Sequence, residues 1–504
     1  FTNIILHVLA ALAVFWLINI FYKNLGLALL TGLFFVVHPV HTEAVSYIAG
    51  RADSLSVLFM LGCFIFYIKA LASDKKVHYA LMILSYTLAI LSKELSLILL
   101  ILLLLYHYAF KQRLKWKAFL PVLTINIVYI VVRMTALSFL SAEVVHKTTY
   151  AQRAAGFFIA MVNYAKIMVL PLNLHMEYGN SFYDFSHPQA WAGIILVLAA
   201  IMVIVRTMRA RNIVFFASAW FLINLIPSSN LLYPINAYMA EHWLYLPSIG
   251  IFLLLARGLM LLYAEKGLRP LSVGAVVLFL GFYSFLTIDQ NGYWKAKIPF
   301  YLRTIKYANN SSRVYYNLAN EYREIGENRK AIEHYEKALK VRPDYYEAYY
   351  NLGKTYENMS DRAQAIETYQ KVIAIKPDYD KAHYNLGNLY YESGRVQEAV
   401  ASYETAIRVN PRHINAYNNL GVAYAGAGRD EEAEAIFKKA IAMDPRQDIS
   451  YGNLSIFYFG RQKYSEAVEY YKKAVQLGFE DPKFHMKITP YLATMPDNNI
   501  NTIR

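Results

Sequence analysis

Apolar residues run in long blocks up to about residue 290 and then give way to short amphipathic stretches. Blocks rich in Leu, Ile, Val and Phe occupy 1–22, 25–40, 54–72, 77–92, 95–110, 118–138, 189–205, 213–227, 244–263 and 270–288, with short polar loops between them. Each block predicts a helix that is apolar on every side. Several are shorter than the roughly 20 residues a bilayer span prefers, but ten in succession predict a polytopic bundle. Segment 1–22 does not read as a cleaved leader, because no small-residue cleavage site precedes the next block. The chain opens at Phe1 inside an apolar run, so at least one further span is expected before it in a longer parent.

After residue 291 the pattern repeats with a strict step. Pro343, Pro377, Pro411 and Pro445 are each 34 residues apart. The pairs Asn317-Leu318, Asn351-Leu352, Asn385-Leu386, Asn419-Leu420 and Asn453-Leu454 keep the same step, as do Tyr322, Tyr356, Tyr390, Tyr424 and Tyr458 and the alanines 331, 365, 399, 433 and 467. This order of small, aromatic and proline positions is the tetratricopeptide (TPR) signature. Small residues let the two helices of a repeat approach, Tyr and Leu fill the seam, and Pro breaks the chain before the next repeat. The expected organisation is a membrane domain at 1–291, a junction at 292–311, five repeats at 312–481, and a capping helix with tail at 482–504, where Phe484, Ile488 and Leu492 cover the last apolar face. The fold class is therefore all-α: a transmembrane helix bundle followed by a TPR superhelix.

The average composition blends these two parts. The 504 residues are 57% hydrophobic and 17% charged, with mean hydropathy +0.26 and net charge +14. That excludes a disordered chain and an ordinary cytosolic enzyme. Residues 1–291 hold 20 Lys and Arg against 10 Asp and Glu, whereas 312–481 hold 23 against 25. The basic excess lies in the membrane part, so nucleic acid is not an expected partner. One set of alternate loops carries Lys23, Lys69, Lys75, Lys76, Lys111, Arg113, Lys115 and Lys117, while the opposite set, 38–53 and 92–94, carries only Arg51 and Lys93. The positive-inside rule puts the first set in the cytoplasm. If 152–171 lies at the interface or re-enters, Arg206, Arg209 and Arg211 also face inward, and the last span delivers the repeats to the periplasm or lumen. The single cysteine, Cys63, excludes an internal disulfide framework.

Ionisable groups beside membrane spans are costly and mark function by default. The outer loops concentrate them: His38, His41 and Glu43, then Arg51 and Asp53, then Lys93 and Glu94, with Arg133 near the outer end of its span and Glu241-His242 in 228–243. Arg51, Lys93 and Arg133 are candidates to hold an anionic phosphate at the membrane surface. Glu43, Asp53 and Glu94 are candidates to position a hydroxyl, accept its proton or hold a cation. His38, His41, Glu241 and His242 are candidate cavity-lining residues. A lipid-phosphate sugar presents this chemistry, with a buried tail, an interfacial phosphate and a sugar in water. The bland alternatives are a local Lys93–Glu94 ion pair, an Arg51/Asp53 helix cap, hydrogen-bonded structural histidines and a solvated Glu241. A divalent cation is the lesser reading, because His38 and His41 lack further clustered ligands.

The motifs HPVHTEAV (38–45), GRAD (50–53), SKE (92–94) and AEHWLYLPSIG (240–250), followed by TPR repeats, resemble the TMTC family, the transmembrane and tetratricopeptide repeat-containing proteins. The resemblance implies a GT-C-type glycosyltransferase fold. It also implies O-mannosyl transfer from a polyprenyl-phosphate mannose to Ser or Thr of a protein, with inversion at the sugar. Asp53 matches the acidic residue such enzymes carry at the outer start of this helix, and His41, Glu43, Arg51, Lys93 and Glu94 match motif positions. The family's principal acid lies in an outer loop that would precede Phe1, so the chain as given is expected to be inactive. His242-Trp243 stands where the family often has Arg, which weakens the expected phosphate contact there.

In a TPR superhelix the inner groove is lined by the first helix of each repeat. The register puts Tyr316, Tyr350 and Tyr384, then Asn320, Lys354 and Asn388, along it. These predict a groove for an acceptor polypeptide or partner. The rival readings are a non-catalytic membrane-anchored TPR scaffold and an O-antigen-ligase-like enzyme, the latter lacking its expected Arg/His-rich loop. The expected location is a bacterial inner membrane with the repeats in the periplasm. The alternative is an endoplasmic reticulum membrane with the repeats in the lumen.

Overall fold

A computed structural model describes residues 2–47, 50–135, 148–178, 183–232, 234–235 and 237–492. Residues 136–138 of the predicted sixth span, 136–147 of the loop after it, Tyr233 and Asn236 of the loop 228–243, and the tail 493–504 lie outside the described residues. The described part is helical, with no strand among these residues, and divides into two compact units, Phe1–Val314 and Tyr315–Arg504.

The first unit contains α1 (Thr2–Tyr22), α2 (Leu25–Val37), α3 (Thr42–Ser46), α4 (Arg51–Ser73), α5 (Lys76–Ser92), α6 (Leu99–Ala109), α7 (Trp116–Thr135), α8 (Tyr150–Val169), α9 (Pro188–Met208), α10 (Ile213–Leu225), α11 (Ser248–Ala264), α12 (Arg269–Tyr293) and α13 (Lys297–Tyr307). Among the described residues, each of the ten apolar blocks contains one of these helices. Five of these helices (α1, α4, α7, α9 and α12) are long and apolar enough to cross a bilayer, and α5, α6, α10 and α11 are shorter apolar helices. Their outward faces carry bare hydrocarbon: Ile195 is 69% exposed, Leu278 68% and Ile288 73%. A water-soluble surface rarely collects such residues, and a lipid-facing surface does. α8 is as long as a span but carries Arg153, Asn163 and Lys166 and is not among the five.

Small residues set the closest helix pairs. A Cβ on Gly193 would lie 1.9 Å from the Phe158 carbonyl oxygen, and one on Gly250 would lie 2.4 Å from that of Ala217. Glycine at these points is what lets α9 meet α8 and α11 meet α10, as is usual where lipid offers no hydrophobic drive for association. Between them, Phe21 packs against Phe64, Tyr106, Phe110 and Phe216, and Trp220 is buried with its indole N–H donated to the Leu246 carbonyl at 3.0 Å.

The block 25–40 is interrupted. Pro39 pushes the residue before it out of the α region, and His38 is extended (φ −72°, ψ 127°). α2 therefore stops at Val37, and Pro39–Ser46 leaves it at a bend of 55°. That break carries Glu43 sideways toward the Glu241 loop instead of up along the helix axis.

The second unit begins in the first turn of α14 (Ser312–Glu324). It continues with α15 (Asn328–Val341), α16 (Tyr346–Asn358), α17 (Arg362–Ile375), α18 (Asp380–Glu392), α19 (Val396–Val409), α20 (Ile414–Gly426), α21 (Asp430–Met443), α22 (Asp448–Gly460), α23 (Tyr464–Leu477) and α24 (Pro482–Leu492). A Cβ on Gly353, Gly387 or Gly421 would fall 2.7, 2.6 or 2.6 Å from the ring of Tyr369, Tyr403 or Phe437. Each of these three repeats thus seats a buried ring of its second helix on a glycine of its first. α24 buries Phe484 and Ile488 against the end of the array.

Candidate functional site

Three loops of the first unit meet at one cluster. Asp53 lies in the first turn of α4, where the helix dipole favours a negative charge. Lys93 sits in the extended residue that ends α5. The Lys93 ammonium is paired with the Asp53 carboxylate, both half-buried or deeper. They line a narrow cavity of about 30 Å³ with Ser56, Asn224, Ser228, His242 and Tyr245.

His242 enters the cavity from a 3-10 turn, Glu241–Leu244. Its Nδ1 is 2.9 Å from Glu43 Oε1, and its backbone N–H donates to Glu43 Oε2 at 3.0 Å. Glu43 is 5% exposed. Burial works against a charge on the imidazole, but the Glu43 carboxylate outweighs it, so His242 titrates above the ordinary histidine range.

Glu241 is 1% exposed and faces away from the cavity. Its Oε1 accepts the His175 backbone N–H at 2.6 Å and the Tyr178 hydroxyl at 2.6 Å. Burial, then the nearby charge of Glu43, holds its carboxyl well above the usual range. The segment 174–178 is further tied down. Leu174 O accepts from Gln290 Nε2 at 3.0 Å and from Arg303 Nε at 3.3 Å, and Glu177 pairs with Arg313.

The other predicted site residues are placed as follows. Glu94 pairs with Arg133 at 2.9 Å beside the cluster. Arg51 is exposed and donates to Asn3 Oδ1 at 3.2 Å, so it is held at the α1 side and does not line the cavity. His38 and His41 are core residues. His38 Nε2 meets Met168 O at 3.2 Å, while His41 bridges Phe35 O at 2.7 Å and Ser248 Oγ at 3.0 Å. Of the four residues expected to line a cavity, only His242 does so; His38, His41 and Glu241 are turned into the packing behind it. Glu43 reaches the site through His242, and a local Lys93–Glu94 pair is not formed. The support loop 174–178 was missed, although Glu177 and the adjacent rings of His175 and Tyr178 were visible in the sequence. Among the described residues, no three His, Cys, Asp or Glu side chains gather as a metal site.

In the second unit, the predicted groove residues are half-buried and joined by a ladder. Asn351 donates to Tyr316 Oη at 2.8 Å and to Asn320 Oδ1 at 3.0 Å; Asn419 donates to Tyr384 Oη at 3.2 Å and to Asn388 Oδ1 at 2.8 Å. Between these rungs Lys354 occupies the acceptor position, and Asn385 turns to Tyr350 Oη at 3.4 Å and Tyr369 Oη at 3.0 Å.

Profiles for the tetratricopeptide repeat and the TPR repeat match residues 319–360, 362–394, 384–448 and 449–478. The chain is similar to "Protein O-mannosyl-transferase F38B6.6" of Caenorhabditis elegans, 25% identical over 351 residues, covering 67% of this chain and 49% of that one. It is also similar to "Protein O-mannosyl-transferase TMTC1" and "Protein O-mannosyl-transferase TMTC3" of Homo sapiens. Those are 26% identical over 393 residues and 23% over 391, each covering 67% of this chain and 44% and 41% of the relative. The resemblance to the TMTC proteins drawn from the motifs is thus shown. The aligned parts span less than half the length of these curated relatives.

Proposed function

We propose that the parent protein is an integral-membrane glycosyltransferase that moves mannose from a polyprenyl-phosphate donor to Ser or Thr of a protein. The reaction takes place on the periplasmic or lumenal side, with the repeats holding the acceptor or a partner. The similarity to protein O-mannosyl-transferases across two thirds of the chain carries this reading. The geometry of the cavity supports it. Lys93 pairs with Asp53 on the wall of a polar cavity between membrane helices. The acceptor hydroxyl attacks the anomeric carbon opposite the phosphate; the new C–O bond forms as the bond to phosphate breaks. The hydroxyl proton passes to a carboxylate and polyprenyl phosphate leaves. Asp53 faces the cavity and is the carboxylate in place to receive or direct that proton. Glu94 with Arg133 forms the adjoining wall. Glu43 acts through His242, and Arg51 anchors the start of α4. Along the repeats, Tyr316, Asn320, Tyr350, Lys354, Tyr384 and Asn388 present an adaptable polar strip to an extended polypeptide, and tethering raises its effective concentration at the membrane.

The test is transfer by the full-length parent in membranes supplied with labelled polyprenyl-phosphate mannose. Asp53→Asn and Lys93→Ala are each expected to cut transfer by about 10²-fold or more. Transfer unaffected by both changes sinks the site assignment. No transfer by the wild type, where a working relative transfers, favours the rival reading of a membrane-anchored TPR scaffold.

A further inference from the structure

The imidazole of His242 lines the cavity beside Asp53 and Lys93, and the proposed transfer gives its Nε2 no task. Its Nδ1 faces a carboxylate, which accepts only, so Nδ1 carries a hydrogen in either protonation state. Nε2 has no hydrogen-bond partner among the described residues, and the ring lines the cavity beside Lys93. Neutral His242 therefore offers the cavity an acceptor, and protonated His242 offers it a charged donor.

The surroundings decide between these. Glu43 on α3 grips His242 twice, at Nδ1 and at the backbone N–H. Asp53 on α4 adds a second negative charge, and Lys93 a positive one that Asp53 already compensates. Glu241, behind the ring, has its carboxyl held toward the protonated form by burial first and by Glu43 second, and it faces His175 and Tyr178, not the imidazole. His41, on the turn packed against the 3-10 turn, spends both ring nitrogens on Phe35 and Ser248. Arg303 is engaged with Leu174 O. The balance favours the cation.

Resting on the proposed transfer reaction, we infer that His242, held by Glu43, is the contact for the donor's phosphate, and that donor affinity is switched off as this imidazole loses its proton. Nε2–H donates to a phosphate oxygen across from Lys93, and the two cations flank the group that leaves. His242 is here a binding residue and takes no proton from the acceptor.

The experiment measures binding of labelled polyprenyl-phosphate mannose directly, with the full-length parent in nanodiscs, between about pH 6 and pH 9. Wild-type affinity is expected to fall by about tenfold or more across the range. His242→Gln binds weakly throughout, His242→Arg stays tight and flat, and Glu43→Gln moves the midpoint to lower pH. Inorganic phosphate competes with the same His242-dependent pH profile if phosphate alone is recognised, and fails to compete if the lipid or sugar is also needed; both agree with the contact. Wild-type binding without pH dependence, or His242→Arg and Glu43→Gln both keeping the wild-type profile, overturns it. Transfer that climbs with pH and vanishes in His242→Arg would instead make His242 a base. Binding with no transfer defeats the proposed reaction and leaves this contact standing; no binding at any pH defeats both.

Discussion

Replacing Glu241 separates its structural task from its charge. Its Oε1 accepts two buried donors, the His175 N–H and the Tyr178 hydroxyl, each at 2.6 Å. Glu241→Ala strands both. An unpaired buried donor costs about 1–3 kcal/mol, so the loop 174–178 should loosen by about 2–6 kcal/mol, or about 30-fold at the low end. Glu241→Gln keeps the acceptor and has the shape of a protonated carboxyl, so it should be near neutral. pH then distinguishes it from wild type. The carboxyl is raised well above the ordinary glutamate range, by burial first and Glu43 second. A raised acid contributes its full stability below the unfolded pKa and loses it as pH climbs through the folded one. Wild type should therefore loosen on the alkaline side while Glu241→Gln does not. Hydrogen exchange of peptides covering 170–178, in the full chain in nanodiscs, reads both effects. Unchanged exchange in Glu241→Ala, or parallel pH profiles for wild type and Glu241→Gln, would refute the reasoning.

In the repeats, Gly387→Ala should destabilise by about 1–3 kcal/mol, because the new methyl meets the buried Tyr403 ring at 2.6 Å; faster exchange across 399–409 reports it. Gly426→Ala is the control: its methyl finds Tyr391 Oη at 3.5 Å, an ordinary contact, so the helix should gain about 0.5–1 kcal/mol. Lys354→Asn should supply the acceptor that Asn320 and Asn388 supply elsewhere and gain about 0.5–1.5 kcal/mol, seen as slower exchange around Asn385.

What the sequence disclosed follows from what repeats and what does not. The 34-residue step was legible because every repeat buries the same positions, and the expectation that small residues admit the partner helix is met at Gly353, Gly387 and Gly421. The Asn-Leu pairs were visible as markers, but Asn351, Asn385 and Asn419 each reach a Tyr hydroxyl 35 residues back, and no local pattern points to it. The same holds in the membrane part. Loops 38–53, 92–94 and 228–243 stand out because ionisable residues interrupt apolar blocks, and the structure pairs Lys93 with Asp53 and His242 with Glu43 across them. Which cation meets which carboxylate was hidden, since Lys93 reaches 40 residues back to Asp53 and His242 reaches 199 back to Glu43. Polarity beside a span reads as function, whereas here His41 satisfies the Phe35 carbonyl at the proline-broken end of α2 and His38 the Met168 carbonyl in the last turn of α8.

The pairing of charges has a consequence for donor binding. In the proposed site Lys93 is compensated by Asp53 and a protonated His242 by Glu43, so an incoming phosphate would meet no net positive excess, only cationic ends turned toward it. Asp53→Asn removes one compensating charge and frees the Lys93 ammonium for the phosphate. It also removes the carboxylate proposed to handle the hydroxyl proton. Donor KM should therefore fall while kcat falls further, by about 10²-fold or more. An interaction lost only in the transition state lowers kcat, and ground-state attraction gained lowers KM, so the two changes together distinguish this role from simple damage to the site, which would raise KM. Steady-state kinetics of the full-length parent across donor concentrations measure the split. A raised KM with kcat unchanged would show that Asp53 does nothing more than hold Lys93 in place.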